Sequence, residues 1–308
     1  MSDWKATTFQ IEIPEVYQIE LTNACNLSCM ACIRDDPRVR RSIGYMSLDL
    51  IKTMVQRGDF GGSYFVEMQM YGEPLLHPQF RDIVSYLRKL PVKLGLSTNG
   101  TLINKHLDNL VKLDTITISI DSPIKEQYES LRPGSSFDNL VDSINSLDRI
   151  ADNTLIDLQV INFGQSKLEE LKVLVSKNKW NVTCREVIDC FAAYQQRKYD
   201  KSKLENVCLN PFLSVSVQWD GDVVPCCFSA GKHIVYGNLY NDSLTDIWKN
   251  SSVRKKLIER MRLKYNLDEM PCKLCYMRSP SLLHLKMLMN NLKGGQKINE
   301  NNHDNSKS

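Results

Sequence analysis

The first 190 residues alternate short β-rich runs with segments whose apolar residues recur at helical spacing. Six runs predict strands, at Val16–Leu21, Tyr64–Tyr71, Val92–Ser97, Thr115–Ile120, Leu155–Ile161 and Val182–Ile188. Between them lie amphipathic stretches, and the clearest helical stripes are Phe80, Ile83, Val84 and Leu87, and Phe137, Leu140, Val141, Ile144 and Leu147. The alternation predicts β/α units with a parallel sheet.

Six strands with intervening helices predict an α/β fold, either a partial (β/α)6 TIM barrel or an open doubly wound sheet. Periodicity alone does not separate the two. We expect an N-terminal lead-in over residues 1–14, a core over 15–195, a second module over 204–280 and a disordered tail over 293–308. The polar segment Gln195–Lys203 predicts the linker between core and module.

The second module carries its own pattern. The run Leu213–Trp219 is followed by Asp220-Gly221 and then by Val223-Val224, which predicts a β-hairpin. Leu244–Met261 is predicted to be helical. No internal repeat is visible beyond the β/α alternation.

Charge and hydropathy exclude some classes of partner. The formal net charge of +3 is too small and too dispersed for a nucleic-acid surface. No apolar run approaches the roughly 20 residues that a membrane-spanning helix needs. The first residues lack the apolar stretch of a signal peptide, so we expect a cytoplasmic protein.

Ten cysteines are unusual for a chain of 308 residues, and most of them fall into two groups. Disulfides rarely persist in a reducing cytoplasm, where clustered cysteines more often bind metal. We call Cys25, Cys29 and Cys32 the first cysteine set. The second cysteine set is Cys208, Cys226, Cys272 and Cys275.

The first cysteine set has the spacing C-x3-C-x2-C and follows the first predicted strand. Three thiolates on one loop can each bind one iron of a 4Fe–4S cluster, which leaves the fourth iron open to another ligand. The same residues could contribute to a structural zinc site, which normally has four protein ligands. The spacing alone leaves both chemistries open.

The cysteine loop, with its Asn26-Leu27 pair, resembles the signature of the radical S-adenosylmethionine (SAM) superfamily. The resemblance implies a partial TIM barrel in which a 4Fe–4S cluster reductively cleaves SAM to a 5′-deoxyadenosyl radical. That radical abstracts hydrogen from a carbon of the substrate. The resemblance also implies an electron donor such as flavodoxin or ferredoxin. Ala31 departs from the family, which usually has an aromatic residue there.

Further likenesses to the family fall at the ends of successive predicted strands. Tyr71-Gly72-Glu73-Pro74 resembles the Gly-Gly-Glu-Pro motif, whose backbone contacts the SAM amino group. Asn99, Ser119 and Asp121 follow the next two strands, and Arg132 resembles the arginine that pairs with the SAM carboxylate. Each alone is an ordinary turn, cap or surface residue. Their joint occurrence in order favours a SAM site.

The second cysteine set ends in a C-x2-C pair, which suits either a zinc site or an auxiliary 4Fe–4S cluster. Its segment resembles the SPASM/twitch extensions of radical SAM enzymes, with matching stretches at 221–226, 236–239 and 243–248. The resemblance implies four cysteine ligands to an auxiliary 4Fe–4S cluster. Because no cysteine follows Cys275, the single-cluster twitch form fits better than a full SPASM module.

The resemblance implies a radical SAM oxidoreductase that acts on a small molecule, such as a sugar or aminocyclitol, or on a peptide. The auxiliary cluster would assist a net oxidation. No extra N-terminal module of the kind that captures leader peptides is visible, which favours a small molecule or a separate recognition partner. An alternative is a radical SAM epimerase in which Cys227 returns a hydrogen atom, although Cys227 also suits a packing role. A more distant alternative is a zinc-stabilised binding module.

Overall fold

The computed structural model describes residues 11–30, 32–37, 39–162, 180–186, 208–229, 231, 234–262 and 272. The predicted linker Gln195–Lys203, the predicted tail 293–308, Ala31 and Cys275 lie outside these residues.

One sheet organises the described part of the chain, and its first six strands are parallel neighbours in the order 6-5-4-3-2-1. A doubly wound sheet reverses its strand order part of the way along, whereas a barrel adds each new strand beside the last. The order therefore selects the partial barrel. The strands are β1 (Glu15–Ile19), β2 (Phe65–Glu67), β3 (Lys93–Thr98), β4 (Thr115–Ser119), β5 (Leu155–Asn162) and β6 (Trp180–Glu186).

The described helices are α1 (Leu48–Arg57), α2 (Phe80–Leu87), α3 (Leu107–Leu110), α4 (Lys125–Leu131), α5 (Phe137–Ile150), α6 (Asn210–Leu213), α7 (Leu244–Asn250) and α8 (Ser252–Arg262). Several begin where a serine hydroxyl accepts a backbone N–H. Ser136 caps α5 at 3.3 Å from Asn139 N, and Ser243 caps α7 at 3.1 Å from Asp246 N. None of the described helices has the length and apolar composition needed to cross a bilayer.

Two elements differ from their predicted extents by more than a shift of one or two residues at an end. The second strand was expected over Tyr64–Tyr71 but ends at Glu67, because the following residues turn into the loop that carries Gly72. The helix predicted over Leu244–Met261 is broken at Ser251, where the backbone leaves the helical region (φ −54°, ψ 114°). The first difference lies at a strand end, whereas the second is a break inside the predicted helix.

The second module extends the barrel sheet. Strand β7 (Ser214–Val217) pairs in parallel with β1, and β8 (Asp222–Val224) and β9 (Gly237–Asn238) continue antiparallel from it. The predicted hairpin is therefore confirmed, and Gly221 occupies its turn with a φ of +83°. The strand order places β7 directly against the first strand of the barrel.

A buried ion pair joins this hairpin to the loop that follows the first cysteine set. Glu20 follows β1, and its carboxylate accepts hydrogen bonds from both Nη atoms of Arg41, at 2.6 and 2.9 Å. The Glu20 carboxylate also accepts the backbone N–H of Trp219 at 3.2 Å. Such pairs fix geometry more than they add stability, because taking both charges out of water is costly. Glu20 thus sets the position of the second module relative to the cysteine loop.

Candidate functional site

The first cysteine set lies on the loop after β1, at the carboxyl end of the barrel strands. Cys25 and Cys29 are half-buried and Cys32 is exposed. All three line an open cavity of about 890 Å³, together with Gly72, Glu73, Asn99, Ser119, Asp121 and Arg132. The structure therefore brings nearly all of the predicted SAM-site residues to one cavity. Pro74 is buried in the turn just beyond it.

Asn99, at the end of β3, anchors the cysteine loop. Its amide Nδ2 donates to Asn26 Oδ1 at 3.0 Å and lies 3.7 Å from the sulfur of Cys25. On the far side, the loop is held by Met30, whose backbone N–H donates to the carbonyl of Leu131 at 3.0 Å. The loop is thus fixed at both ends by residues that follow other strands.

Arg132 and Asp121 form a buried ion pair beside the cysteine loop, with 7% and 5% of each residue exposed. Arg132 Nε donates to Asp121 Oδ2 at 2.6 Å, and Arg132 Nη1 lies 3.8 Å from the sulfur of Cys29. Burial alone would lower the pKa of Arg132, but the charges of Asp121 and Cys29 raise it, so the guanidinium stays charged. It supplies a fixed positive charge beside the Cys29 sulfur.

Asp121 has two features that point to a ligand. It adopts a left-handed backbone with a φ of +56°, which is uncommon for a residue with a Cβ. Its second oxygen, Oδ1, is buried at the cavity wall and has no hydrogen-bond partner in the described protein. A buried acceptor without a partner costs about 1–3 kcal/mol, which a hydroxyl or amine of a bound molecule would offset.

The carboxylate of Glu73 holds two of the strand-end loops together. Oε1 accepts from Leu75 N at 3.1 Å and from the Thr98 hydroxyl at 2.8 Å, and Oε2 accepts from Asn99 N at 2.7 Å. Burial raises the pKa of this carboxyl to about 6, although the hydrogen bonds from Asn99, Leu75 and Thr98 oppose the shift. The loop therefore offers its backbone around Glu73 to a cofactor, because the Glu73 carboxylate already accepts hydrogen bonds from the protein.

Burial raises the pKa of the Cys29 thiol to about 11, even though Arg132 pulls it down. Without a metal, Cys29 therefore carries its proton at neutral pH. Iron binding must displace that proton, because the thiolate is the form that ligates metal.

Gly72 lets the second loop approach the first. It has a φ of +85°, and a Cβ at this position would lie 2.5 Å from the carbonyl oxygen of Thr22 and 2.6 Å from that of Ala24. The N–H of the next residue, Glu73, donates to the same Ala24 carbonyl at 2.7 Å. Only glycine fits here without moving the start of the cysteine loop.

We expect Gly72→Ala to lower the rate of SAM cleavage about 100-fold, because a shift of about 1 Å at a reacting group costs that order of rate. The matched control is Gly58→Ala, since Gly58 has a φ of +74° and no atom within 4 Å of an added Cβ. The control variant loses only about 1–2 kcal/mol of stability, through backbone strain. Release of 5′-deoxyadenosine under reducing conditions measures the rate. Equal rates in the two variants would contradict a role for the close approach.

Three members of the second cysteine set, Cys208, Cys226 and Cys272, are described, and all are half-buried. Cys226 follows β8, and Cys208 and Cys272 pack against the hydrophobic core. All three lie close enough to the buried phenol of Tyr236 for their charges to raise its pKa. Cys227 is also half-buried, and its predicted role as a hydrogen donor stays a prediction.

Among the described residues, no three His, Cys, Asp or Glu side chains converge closely enough to hold one metal ion. A cubane makes no such demand, because each thiolate binds a different iron at a different corner. The donor sets fit iron–sulfur clusters in chemistry, with three cysteines beside a cavity in the first set and three half-buried cysteines described in the second.

The fold and the site define a SAM-dependent iron–sulfur enzyme. Residues 19–161 match the radical SAM superfamily, and residues 208–276 match the SPASM iron–sulfur cluster-binding domain. The chain belongs to the radical SAM superfamily and carries a SPASM domain at its C-terminal end. The cofactors predicted from the sequence, SAM with its 4Fe–4S cluster and an auxiliary iron–sulfur centre, are thereby confirmed at the level of the family.

Curated relatives share part or most of the chain. The mycofactocin maturase MftC of Mycobacterium tuberculosis is 25% identical over 293 residues, which cover 81% of this chain and 74% of the maturase. Protein MJ0804 of Methanocaldococcus jannaschii is 29% identical over 167 residues, covering 53% of this chain and 54% of the relative. The chain thus spans about half the length of that relative.

Two of the solved structures with a similar fold cover most of this chain. Streptococcus suis SuiB bound to precursor peptide SuiA has a TM-score of 0.65 at 14% identity, over 80% of this chain and 67% of SuiB. The protein anSMEcpe with bound AdoMet has a TM-score of 0.63 at 17% identity, over 92% of this chain and 94% of that one. At these identities the likeness confirms the fold, a partial barrel with a C-terminal extension.

Sequence reasoning missed three contributors to the site. The role of Glu73 as a bridge between loops, the Glu20–Arg41 pair and the buried hydroxyl of Tyr236 all depend on contacts between distant residues. A buried glutamate at the end of a strand gives no periodic signal that distinguishes it from a cofactor ligand. The position of Tyr236, just before Gly237-Asn238 in the stretch that resembles SPASM domains, was the available clue.

Proposed function

We propose that this protein is a radical SAM oxidoreductase that abstracts a hydrogen atom from a carbon of a peptide or of a polar small molecule. The observation that carries the proposal is the single cavity lined by the first cysteine set, Gly72, Asn99, Asp121 and Arg132. When bound, SAM and its cluster supply the 5′-deoxyadenosyl radical, and the auxiliary cluster supplies an acceptor for the electron left on the substrate.

The residues that line the cavity have distinct parts in this reaction. The thiolates of the first cysteine set hold three irons and leave the fourth to SAM. Arg132 keeps positive charge beside the Cys29 sulfur, and the Asn99 amide lies beside the Cys25 sulfur, so each would face a cysteine that ligates iron. Asp121 Oδ1, which has no partner among the described residues, would accept a hydrogen bond from a hydroxyl of bound SAM.

The first test is cofactor content and cleavage. We expect the anaerobically purified protein to be brown, with about eight irons per chain if both clusters are 4Fe–4S. With a one-electron reductant or a flavodoxin or ferredoxin, it should convert SAM to methionine and 5′-deoxyadenosine. A colourless protein that holds zinc and leaves SAM intact would overturn the proposal.

Transfer of deuterium from a candidate substrate to 5′-deoxyadenosine would distinguish the two substrate classes. The relative MftC is named a maturase and the solved SuiB is bound to a precursor peptide, which supports a peptide substrate. BtrN, a further similar fold with a TM-score of 0.57, was solved with AdoMet and 2-DOIA, which supports a small molecule. Candidate peptides and aminocyclitols deuterated at carbon should be compared, and only a true substrate passes deuterium into 5′-deoxyadenosine.

Cys227→Ala separates oxidation from epimerisation. If the reaction is an oxidation, the variant should keep SAM cleavage and product yield within about twofold, since most substitutions away from a site change little. If Cys227 returns a hydrogen atom, the variant should still cleave SAM yet lose the epimerised product. Mass spectrometry of a reaction run in deuterated water reads the outcome, because epimerisation adds one solvent deuteron to the product.

A further inference from the structure

Tyr236 lies at the centre of the second module. Its backbone N–H donates to the carbonyl of Val223 at 2.7 Å, just before β9 pairs with β8. That bond places Tyr236 across from the end of β8, which leads directly to Cys226. The residue is 5% exposed and belongs to the hydrophobic core against which Cys208 and Cys272 pack.

The phenolic hydroxyl of Tyr236 is buried and has no hydrogen-bond partner among the residues that the structure describes. Buried tyrosine hydroxyls are usually paired, because an unmet donor costs about 1–3 kcal/mol. The surrounding residues nevertheless bury the whole ring. An unpaired donor in such a place points to a bound group that the described residues do not supply.

The residues near the Tyr236 hydroxyl indicate the chemistry of the bound group. Burial raises the pKa of Tyr236 well above its usual value, and the charges of Cys226, Cys272 and Cys208 raise it further, whereas Arg254 lowers it. The phenol of Tyr236 therefore lies near the three described cysteines of the second cysteine set. Arg254 is held there by stacking on the Trp248 ring and by donating to the Trp248 carbonyl at 3.0 Å.

We infer that the Tyr236 hydroxyl donates a hydrogen bond to a sulfur of the auxiliary iron–sulfur cluster and raises the reduction potential of that cluster. The inference rests on the proposed assignment of the second cysteine set as the ligands of this cluster. Hydrogen bonds to cluster sulfurs favour the reduced state, because reduction adds negative charge to the sulfurs. Tyr236 thereby makes the auxiliary cluster a better acceptor for an electron from the substrate.

The test is the variant Tyr236→Phe, which removes the donor and keeps the ring. To isolate the auxiliary signal, it is made in the full chain that also carries Cys25→Ala, Cys29→Ala and Cys32→Ala. A redox titration followed by electron paramagnetic resonance should show a more negative midpoint. We expect about a tenfold change in the one-electron equilibrium, which corresponds to about 59 mV.

Tyr240→Phe is the matched control, because Tyr240 lies four residues away and is 57% exposed. Its midpoint should equal that of the parent chain. An unshifted midpoint in Tyr236→Phe, with the cluster present in full amount, would overturn the inference and leave the proposed function standing. A parent chain with no auxiliary cluster at all would instead overturn the ligand assignment itself.

A second measurement covers the case in which Tyr236→Phe does not fold. In the parent chain exchanged into deuterated water, pulsed electron paramagnetic resonance of the reduced auxiliary cluster should detect a strongly coupled exchangeable deuteron. Its absence would overturn the hydrogen bond without any variant.

Discussion

Replacing the first cysteine set with alanine should abolish SAM cleavage and remove one cluster while leaving the other. The three thiolates are the protein ligands of the SAM-binding cluster in our proposal, and alanine cannot bind iron. Iron should fall from about eight to about four per chain, on the basis of four irons in each cubane. Iron analysis and the yield of 5′-deoxyadenosine measure the two effects.

The converse variant is the control for this prediction. Replacing Cys208, Cys226 and Cys272 with alanine should remove a similar amount of iron and preserve reductive SAM cleavage without substrate. The two variants together assign each cluster to its cysteines. The assignment fails if the first variant keeps the full iron content or still produces 5′-deoxyadenosine at the wild-type rate.

Glu73→Gln should weaken SAM binding about tenfold or more. All three groups around the carboxylate donate to it, so the amide NH2 of glutamine must face a donor in either orientation. Thr98 can turn its hydroxyl to accept, but a backbone N–H of Leu75 or Asn99 then loses its acceptor, at a cost of about 1–3 kcal/mol. The strand-end loops that line the cavity would separate. Equilibrium binding of SAM to the cluster-loaded protein measures the loss.

Glu67→Gln is the matched control for Glu73→Gln. Glu67 ends β2 and accepts the Ser97 hydroxyl at 2.6 Å. A serine hydroxyl can exchange its roles of donor and acceptor, so this substitution should change SAM affinity by less than about threefold. If both variants bind SAM equally, the bridging role of Glu73 is wrong.

Much of the fold was predictable because its signal is local. The six barrel strands, the helices at Phe80 and Phe137 and the hairpin at Gly221 all follow from residue spacing, and the structure places each within a few positions. The choice between barrel and doubly wound sheet was not predictable from pattern. Strand order depends on which strands pair in space, and periodicity carries no information about that.

The candidate site was likewise predictable in part. The spacing of the first cysteine set and the order of the strand-end motifs were visible in the chain, and their convergence on one cavity follows from parallel strands ending at one edge. The partners of individual atoms were not visible. The motif predicted that Glu73 binds the cofactor, yet its carboxylate accepts hydrogen bonds from Leu75, Thr98 and Asn99.

The pairing of β7 with β1 has a consequence for how the protein can be divided. A chain cut before residue 208 would lose β7, one of the two strands that pair with β1, and would leave that edge of Glu15–Ile19 with unpaired backbone groups. Such edges pair with one another between molecules and aggregate. The cluster-binding extension therefore also protects the barrel from self-association, and the barrel alone should not be recovered as a monomer.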